Sequence, residues 1–249
     1  MTPDSTVLAR CGLCRSLALL SVICIGVGPL LSHFEWVAPL RGFLVFSFGL
    51  LLGAAAFVAT VVAATLRRGR FDWPAFFSSL ALALLLAASL ISSRHYPRIN
   101  DITTDWEHPP AFVQAKSLAA NRGRDLSYPG EAFAREQSKH YPRIAPLRVS
   151  ATPDVTFEHA VRVARSMPAW ELTRVDPMAH AIEGVATTKV FRFRDDFVIE
   201  VRPDGSGSVV QMRSKSRDGR SDVGANAVRI DGFLEALRKS LGGESKLPH

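Results

Sequence analysis

The chain has 249 residues, a formal net charge of +7 and 47% apolar residues, with a mean hydropathy of +0.12. The apolar residues are concentrated near the N-terminus, where only six charged residues lie between positions 17 and 92. Residues 1–94 carry seven arginines against three acidic residues, so much of the basic balance flanks apolar segments and is weak evidence for nucleic-acid binding. We therefore expect a membrane protein whose partner is the lipid bilayer, and no nucleic-acid partner.

Three apolar runs are long enough to cross a bilayer as helices, which takes about 20 residues. The predicted spans are residues 17–34, 40–66 and 73–92, within a membrane region of residues 1–94. The first run is interrupted by Pro29, and a secretory signal peptide would look similar, with Arg10 and Arg15 before an apolar stretch. No small-residue cleavage site follows it cleanly, which favours a retained span.

The arginine distribution predicts the orientation, because positively charged flanks stay in the cytoplasm. With the N-terminus inside, the inner flanks hold Arg10, Arg15, Arg67, Arg68 and Arg70, and the outer flanks hold Arg41, Arg94 and Arg98. Five against three favours this orientation, and three spans then place the C-terminal domain outside. The prediction is a multi-pass protein of the bacterial inner membrane with a periplasmic domain.

The cysteines indicate neither a disulfide framework nor a metal site. Cys11 and Cys14 have the spacing of a redox or metal pair, but no second pair or histidine accompanies them. We interpret them as part of a juxtamembrane tail and expect no cofactor and no metal.

Residues 95–151 are rich in proline, lack clear periodicity and are predicted as an extended lead segment. The pentapeptide HYPRI occurs there twice, at His95 and His140, but the match extends no further. We interpret it as local turn chemistry, because a residue before proline favours extended or turn geometry.

Regular patterns begin at residue 152 and define a domain of residues 152–249. Thr156 can cap a helix with apolar residues at helical spacing up to Met167. Strands are predicted at 170–175, 181–193 and 196–202, with a hairpin loop at 203–208 before a fourth strand. A last helix with a stripe from Ile230 to Leu241 ends at Gly242. The predicted fold is an α+β domain, an antiparallel sheet of about four strands with two helices packed on one face.

The fourth strand divides its side chains by chemistry. Val210, Met212, Ser214 and Ser216 fall on one face, and Gln211, Arg213, Lys215 and Arg217 fall on the other. If Phe197 shares the buried face with Met212, Asp196 lies opposite Arg213 or Lys215.

Cations are concentrated where this strand ends and the last helix begins. Backbone N–H groups at a helix start attract anions, and arginine guanidiniums bind phosphate or carboxylate with two hydrogen bonds. The candidate anion- or partner-binding residues are Arg213, Ser214, Lys215, Ser216, Arg217, Arg220 and Ser221, with Asp196, Gly219, Asp222, Asn226 and Arg229 as structural support. In the alternative interpretation the basic row is an ordinary strand face that Asp196, Asp218 and Asp222 neutralise.

Signs of catalysis are weak, and no catalytic residue is predicted. The chain has no nucleotide-binding loop and no nucleophile-elbow motif. His140, His159 and His180 are too scattered to define a metal site. Glu183 could pair with Asp195 or Asp196 as acid and base, but adjacent strand residues point to opposite faces.

Four segments resemble the bacterial and plastid family called domain of unknown function 1499. They are INDITTD at 99–105, PPAF at 109–112, RFRDDFVIEVRP at 192–203 and RSKSRDGRSDVGANAVRI at 213–230. The resemblance covers about residues 99–241, and Trp106 stands where a proline is more usual. It implies that one constellation is formed by Arg213, Ser214, Ser216, Arg217, Gly219, Ser221, Asp222, Asn226 and Arg229. Within it we expect Asp222 and Asn226 to cap or tie the helix start and the arginines to face outward. The resemblance transfers no activity.

The functional expectation is therefore an outer domain that binds an anionic lipid headgroup or an envelope component. The alternatives are a non-catalytic interaction module of a membrane assembly and, less favoured, an envelope hydrolase or transferase.

Overall fold

The computed structural model describes residues 5–66 and 72–244, except for the side chains of residues 5–11, 13, 243 and 244. The predicted flank residues Arg67, Arg68 and Arg70 therefore lie outside the described residues, as do the side chains of Arg10 and Cys11. The chain divides into two compact units. One comprises Met1–His95 and Lys189–Arg192, and the other comprises Tyr96–Thr188 and Phe193–His249.

Three long apolar helices make up the first unit: α1 (Ser5–His33), α2 (Pro39–Thr65) and α3 (Trp73–Ser93). By length and composition, Cys14–His33, Pro39–Thr65 and Trp73–Ser93 could each cross a membrane, which confirms the prediction of three long apolar helices. Asp72 caps α3 by accepting the N–H of Ala75 at 3.2 Å. Pro29 lies inside α1 without ending it, as membrane helices tolerate.

Small residues bring α1 and α2 close together. A methyl group added to Gly28 would lie 2.6 Å from the carbonyl oxygen of Gly42 and 2.7 Å from the nitrogen of Phe46. Nearby, the hydroxyl of Ser21 donates to the carbonyl of Gly49 at 2.5 Å. Since lipid supplies no hydrophobic drive between helices, such close backbone approach and hydrogen bonding are what hold membrane helices together.

The second unit is built on a six-stranded antiparallel sheet. The strands are β1 (Asp101–Thr103), β2 (Leu147–Val149), β3 (Trp170–Asp176), β4 (Ala181–Thr187), β5 (Arg194–Asp204) and β6 (Gly207–Ser216). Their order is β1-β6-β5-β4-β3, and β2 also pairs with β6. β5 and β6 form a tight hairpin at Gly205, whose φ of +60° is available to glycine without strain.

The α+β class is confirmed, but the sheet has more strands than the four predicted. β1 and β2 come from residues 95–151, the segment predicted as an extended lead. Each has three residues, too few to show the alternation that identifies a strand in sequence. Their pairing partner β6 is distant in the chain, so the ladder rather than local propensity defines them.

Helices cover one face of the sheet as predicted, and a second layer covers part of the other face. The helices of this unit are α4 (Gln114–Ser117), a 3₁₀ turn (Ala119–Asn121), α5 (Glu131–His140), α6 (Pro153–Ser166) and α7 (Ala225–Glu244). α6 and α7 enclose the main core with the sheet, where Phe197 and Phe233 are fully buried. On the opposite face, Phe112 and Leu126 pack against Val198.

Three predicted element boundaries are wrong. α6 begins at Pro153, a favourable first position, so Thr156 lies inside the helix and accepts a hydrogen bond from Ser208 at 2.8 Å. The strand predicted at 181–193 ends at Thr187. α7 continues through Gly242 to Glu244, so that glycine does not stop it.

Candidate functional site

The β5–β6 hairpin sets the two faces of the candidate site. The ladder places Asp196 opposite Lys215 and Phe197 opposite Ser214, which confirms one of the two predicted registers. Ser214 and Ser216 therefore lie on the face covered by α7. Arg213 and Lys215 lie on the other face, under the chain that runs from β1 through α4.

Arg213 is buried by the residues that precede α5. Its guanidinium donates to both carboxylate oxygens of Asp101 at 2.8 Å and lies over the rings of Phe112 at 4.8 Å and Tyr128 at 5.5 Å. Only 2% of the residue is exposed, so the planar fork binds the chain's own carboxylate rather than a ligand. Burial, and then the charge of Asp101, raise the pKa of Tyr128 to about 12.

Lys215 donates to the same carboxylate, with 2.8 Å between its Nζ and Asp101 Oδ2. One buried anion thus binds two buried cations.

Asp125, at the surface, has a pKa below the usual value, chiefly because it accepts the N–H of Ser127 and to a smaller degree because Lys215 and Arg213 are near.

Arg217 is held by Asp196. Its Nη2 lies 2.6 Å from Asp196 Oδ1, and the other carboxylate oxygen accepts from Asn121 at 3.0 Å and Arg124 at 3.3 Å. Asp196 is fully buried and the Arg217 side chain is 11% exposed. Arg124, absent from the predicted site, also donates to the carbonyl of Ser216 at 2.7 Å.

The helix side of the sheet carries a separate network. Arg229 of α7 binds Asp195 at 2.6 Å and donates to the hydroxyl of Ser214 at 2.9 Å. Asn226 accepts from Ser214 at 2.7 Å and donates to the hydroxyl of Ser216 at 3.0 Å. These buried polar groups fasten α7 to the end of β6.

The start of α7 is capped by a carboxylate of the chain itself. Asp222 accepts the N–H groups of Gly224 and Asn226, each at 2.9 Å. Burial raises the pKa of the Asp222 carboxyl, these two N–H groups lower it, and the charge of Asp195 raises it further. The helix-start N–H groups to which the sequence assigned an anion thus already have one.

The loop between β6 and α7 is tied to the chain that follows α3. Ser221 donates to the carbonyl of Pro97 at 2.9 Å, and Asn100 donates to the carbonyl of Gly219 at 2.7 Å. Gly219 has a φ of +77°, which lets the loop turn. Arg220 is exposed at the tip of this loop.

The structure brings the predicted constellation together but turns most of it inward. The expectation that the arginines face outward is wrong for Arg213, Arg217 and Arg229 and holds for Arg220. Asp196 and Asp195 of β5 hold Arg217 and Arg229. The acid that holds Arg213 is Asp101, which sequence reasoning did not select because it precedes β6 by more than 100 residues and lies in a segment without periodicity. The feature that could have pointed to Asp101 is its position as an acidic residue in INDITTD, one of the four segments that resemble the family.

Glu183 is a second residue whose role the sequence did not indicate. It is fully buried on β4 and accepts the N–H groups of Val113, Gln114 and Ala115 at 2.8 to 3.0 Å. Its carboxylate therefore caps the start of α4, where a negative charge is favourable.

No acid and base pair forms from the acidic residues considered above. Asp195 and Asp196 face opposite sides of β5, each bound to an arginine, and Glu183 binds backbone. Within residues 5–66 and 72–244, no three His, Cys, Asp or Glu side chains are grouped to hold a metal ion. His159 donates to or accepts from Ser240 at 2.7 Å, and His180 contacts Asp154 at 2.8 Å.

These features define a membrane-associated α+β domain protein, with three apolar helices ahead of a sheet whose basic strand is braced by buried carboxylates. The family model described as "Protein of unknown function (DUF1499)" matches residues 101–237, more than half of the chain. The chain belongs to this family. No curated protein sequence matches it significantly.

Proposed function

We propose that this is a multi-pass protein of the bacterial inner membrane that displays its α+β domain outside the cytoplasm, where the domain contacts anionic lipid headgroups. The arginine flanks support the orientation. Arg15, at the start of the candidate span Cys14–His33, also forms an ion pair with Asp72 at the start of α3, at 2.5 Å. Two span starts on one side are what three consecutive antiparallel spans require.

The observation that carries the headgroup contact is the attachment of the Arg220 loop to residues 97–100. Pro97, which accepts from Ser221, follows the end of α3 at Ser93 by four residues. Four residues span at most about 14 Å, so this part of the domain stays near the point where the third span ends. We infer that the short connection allows Arg220 to reach the bilayer surface.

Charge favours an anionic surface at this position. Arg94, Arg98 and Arg220 are exposed, in contrast to the internally bound Arg213, Lys215 and Arg217. A basic side chain near an anionic membrane contributes about 1 kcal/mol. The anion contact predicted from the basic row is thus assigned to Arg220 with Arg98.

A second candidate is a non-catalytic interaction module of a membrane assembly. It is favoured by the buried ion pairs, which make the basic row part of the domain framework. It is also favoured by exposed apolar side chains beside the same loop, with Val223 54% and Val228 74% exposed.

The test uses the full chain in nanodiscs of neutral phosphatidylcholine or of the same lipid with about one third phosphatidylglycerol, with amide hydrogen exchange of residues 217–224 as the readout. We expect exchange there to be several-fold slower on the anionic discs, because two cations would contribute about 2 kcal/mol. The Arg98→Ala/Arg220→Ala variant should lose this difference.

Arg238→Ala is the matched control, because this exposed arginine lies 14 residues beyond Gly224 on α7, about 20 Å away along the helix. It should keep the wild-type difference. Equal exchange of the wild type on both lipids would reject headgroup contact and leave the interaction module as the better candidate.

A further inference from the structure

A groove separate from the basic strand lies between α6 and the turn that joins β3 to β4. It has a volume of about 570 Å³, within the range of about 300 to 1,000 Å³ typical of binding sites. Phe157 and Val161 of α6 and Val175 and Pro177 on the facing side supply an apolar lining.

One end of the groove is held rigidly by His180. Its Nε2 lies 2.8 Å from Asp154 Oδ1, and its ring packs 5.4 Å from that of Phe157. The backbone φ of His180 is +45°, which is uncommon for a residue other than glycine, and its carbonyl accepts the N–H of Val201 at 3.0 Å. The turn before it is fixed by Asp176, which accepts the N–H groups of Met178 and Ala179 at 3.0 Å.

The charges along the groove are ordered. Asp154 and Glu158 lie toward the N-terminal end of α6, and Arg162 and Arg165 lie toward its C-terminal end. Glu158 and Arg165 are seven residues apart, nearly two helical turns, so they share a face at a separation of about 10 Å. Both are exposed.

The neighbouring strand offers backbone for a further strand to pair with. β3 is the terminal strand of the sheet, so among the described residues one of its edges has no strand partner. An extended peptide can add to such an edge through main-chain hydrogen bonds while its side chains fill an adjacent pocket. Side chains of an extended segment alternate between its two faces, so only every second residue can face α6. The first and fifth residues share a face and lie about 13 Å apart, between the distances along α6 of Arg165 from Glu158, about 10 Å, and from Asp154, about 16 Å.

We propose that this groove binds an extended five-residue segment of a partner polypeptide, whose first, third and fifth side chains face the groove and are basic, apolar and acidic in that order. The basic residue would face Asp154 and Glu158, and the acidic residue would face Arg165. Because the C-terminal end of β3 lies beside His180 and Asp154, this polarity makes the segment antiparallel to β3.

The test is binding of two fluorescently labelled pentapeptides, with backbone termini blocked, to the full chain in detergent micelles, followed by anisotropy. One has the order Lys-Thr-Leu-Thr-Asp and the other the reverse, Asp-Thr-Leu-Thr-Lys. We expect saturable binding of the first with an affinity at least about tenfold higher than that of the second, because two charge pairs change from attraction to repulsion.

The Glu158→Arg/Arg165→Glu variant, which has the same composition with the charges exchanged, should invert this preference. Inversion separates a direct contact from a loss of folding, since an unfolded variant would bind neither peptide. Val161→Asn should weaken both peptides in either background, because it removes the apolar lining. Arg220→Ala should change nothing, which keeps this site distinct from the proposed headgroup contact.

Equal binding of the two peptides, absence of binding to the folded wild type, or an unchanged preference in the exchanged variant would each overturn the proposal. Folding of each variant is checked by its near-ultraviolet circular dichroism. Trp170 contributes to this signal because its ring packs against that of Phe197, with 4.1 Å between the ring centroids.

Discussion

Two buried cations, Arg213 and Lys215, share the carboxylate of Asp101. The carboxylate is fully buried, and the guanidinium also donates to the backbone carbonyls of Pro110 and Leu126. The net stabilisation from a buried ion pair is small, because burying its charges costs solvation free energy. Removing one partner is more costly, because the remaining charge stays buried without its counterion. We call Asp101, Arg213 and Lys215 the brace, because their ion pairs join β1 to β6.

Asp101→Asn keeps the shape of the side chain but removes its charge. We expect the free energy of unfolding to fall by about 3–5 kcal/mol, the usual cost of leaving a buried charge unpaired. Chemical denaturation of the full chain in detergent, followed by near-ultraviolet circular dichroism, measures it. Arg220→Ala, at an exposed site, should change stability by no more than about 0.5 kcal/mol, and a similar loss in both variants would contradict the brace.

Asp222 predicts a pH dependence, because burial raises its pKa above 3.8 in the folded chain. A raised pKa means that the folded chain binds the proton more tightly than the unfolded chain, so this contribution favours folding at low pH and is lost as pH rises through the raised pKa. Asn in its place cannot titrate but can still accept the N–H groups at the start of α7.

We therefore expect Asp222→Asn to gain stability relative to the wild type as pH is raised from about 4 toward neutrality. Denaturation midpoints of both proteins at several pH values measure the difference. A difference that stays flat, or that changes in the other direction, would show that the carboxyl is not held toward its neutral form.

The start of α4 depends on β4 rather than on its own sequence. This helix has four residues, too few to be stable alone, and Glu183 accepts the N–H groups of its first two residues and of Val113 just before it. Glu183→Gln replaces one acceptor oxygen with an amide that donates, so at least one N–H group loses its partner. We expect a loss of at least about 1.5 kcal/mol and faster hydrogen exchange at residues 113–115, whereas unchanged exchange there would contradict the capping role.

The contact between α1 and α2 gives a matched pair of glycines. A methyl group at Gly28 would meet backbone atoms of α2 at 2.6 and 2.7 Å, whereas one at Gly26 would meet nothing within 4 Å. Gly28→Ala should therefore lower the thermal stability of the full chain in detergent, while Gly26→Ala leaves it unchanged or raises it slightly through better helix propensity. Equal effects of the two substitutions would indicate that α1 does not pack against α2 at this glycine.

The elements that were predicted well from the sequence are long enough to carry a clear pattern. The spans are continuous apolar runs of about 20 residues, whereas α6, α7 and the β5–β6 hairpin repeat an apolar pattern often enough to define a buried face. Strand alternation alone placed Asp196 opposite Arg213 or Lys215. β1 and β2 could not be found in this way, because three residues define no period. The outward orientation predicted for Arg213 was wrong for the same reason, since its partner Asp101 lies in β1.

At the scale of the whole molecule, three apolar helices precede a domain stabilised by buried ion pairs and capped helices. Family membership and the three candidate spans identify the chain as a membrane-associated member of a family without an assigned activity. The proposals place two contacts on this domain, anionic headgroups at the Arg220 loop and a peptide segment beside α6. Both depend on which side of the bilayer the domain occupies, because its available partners differ there.

The most direct measurement is therefore the side of the membrane on which the C-terminus lies. Alkaline phosphatase, active only outside the cytoplasm, and green fluorescent protein, exported in a non-fluorescent form, are each fused after His249 and expressed in a bacterium. We predict high phosphatase activity and no fluorescence. Bright fluorescence with inactive phosphatase would place the domain in the cytoplasm and contradict an extracytoplasmic role.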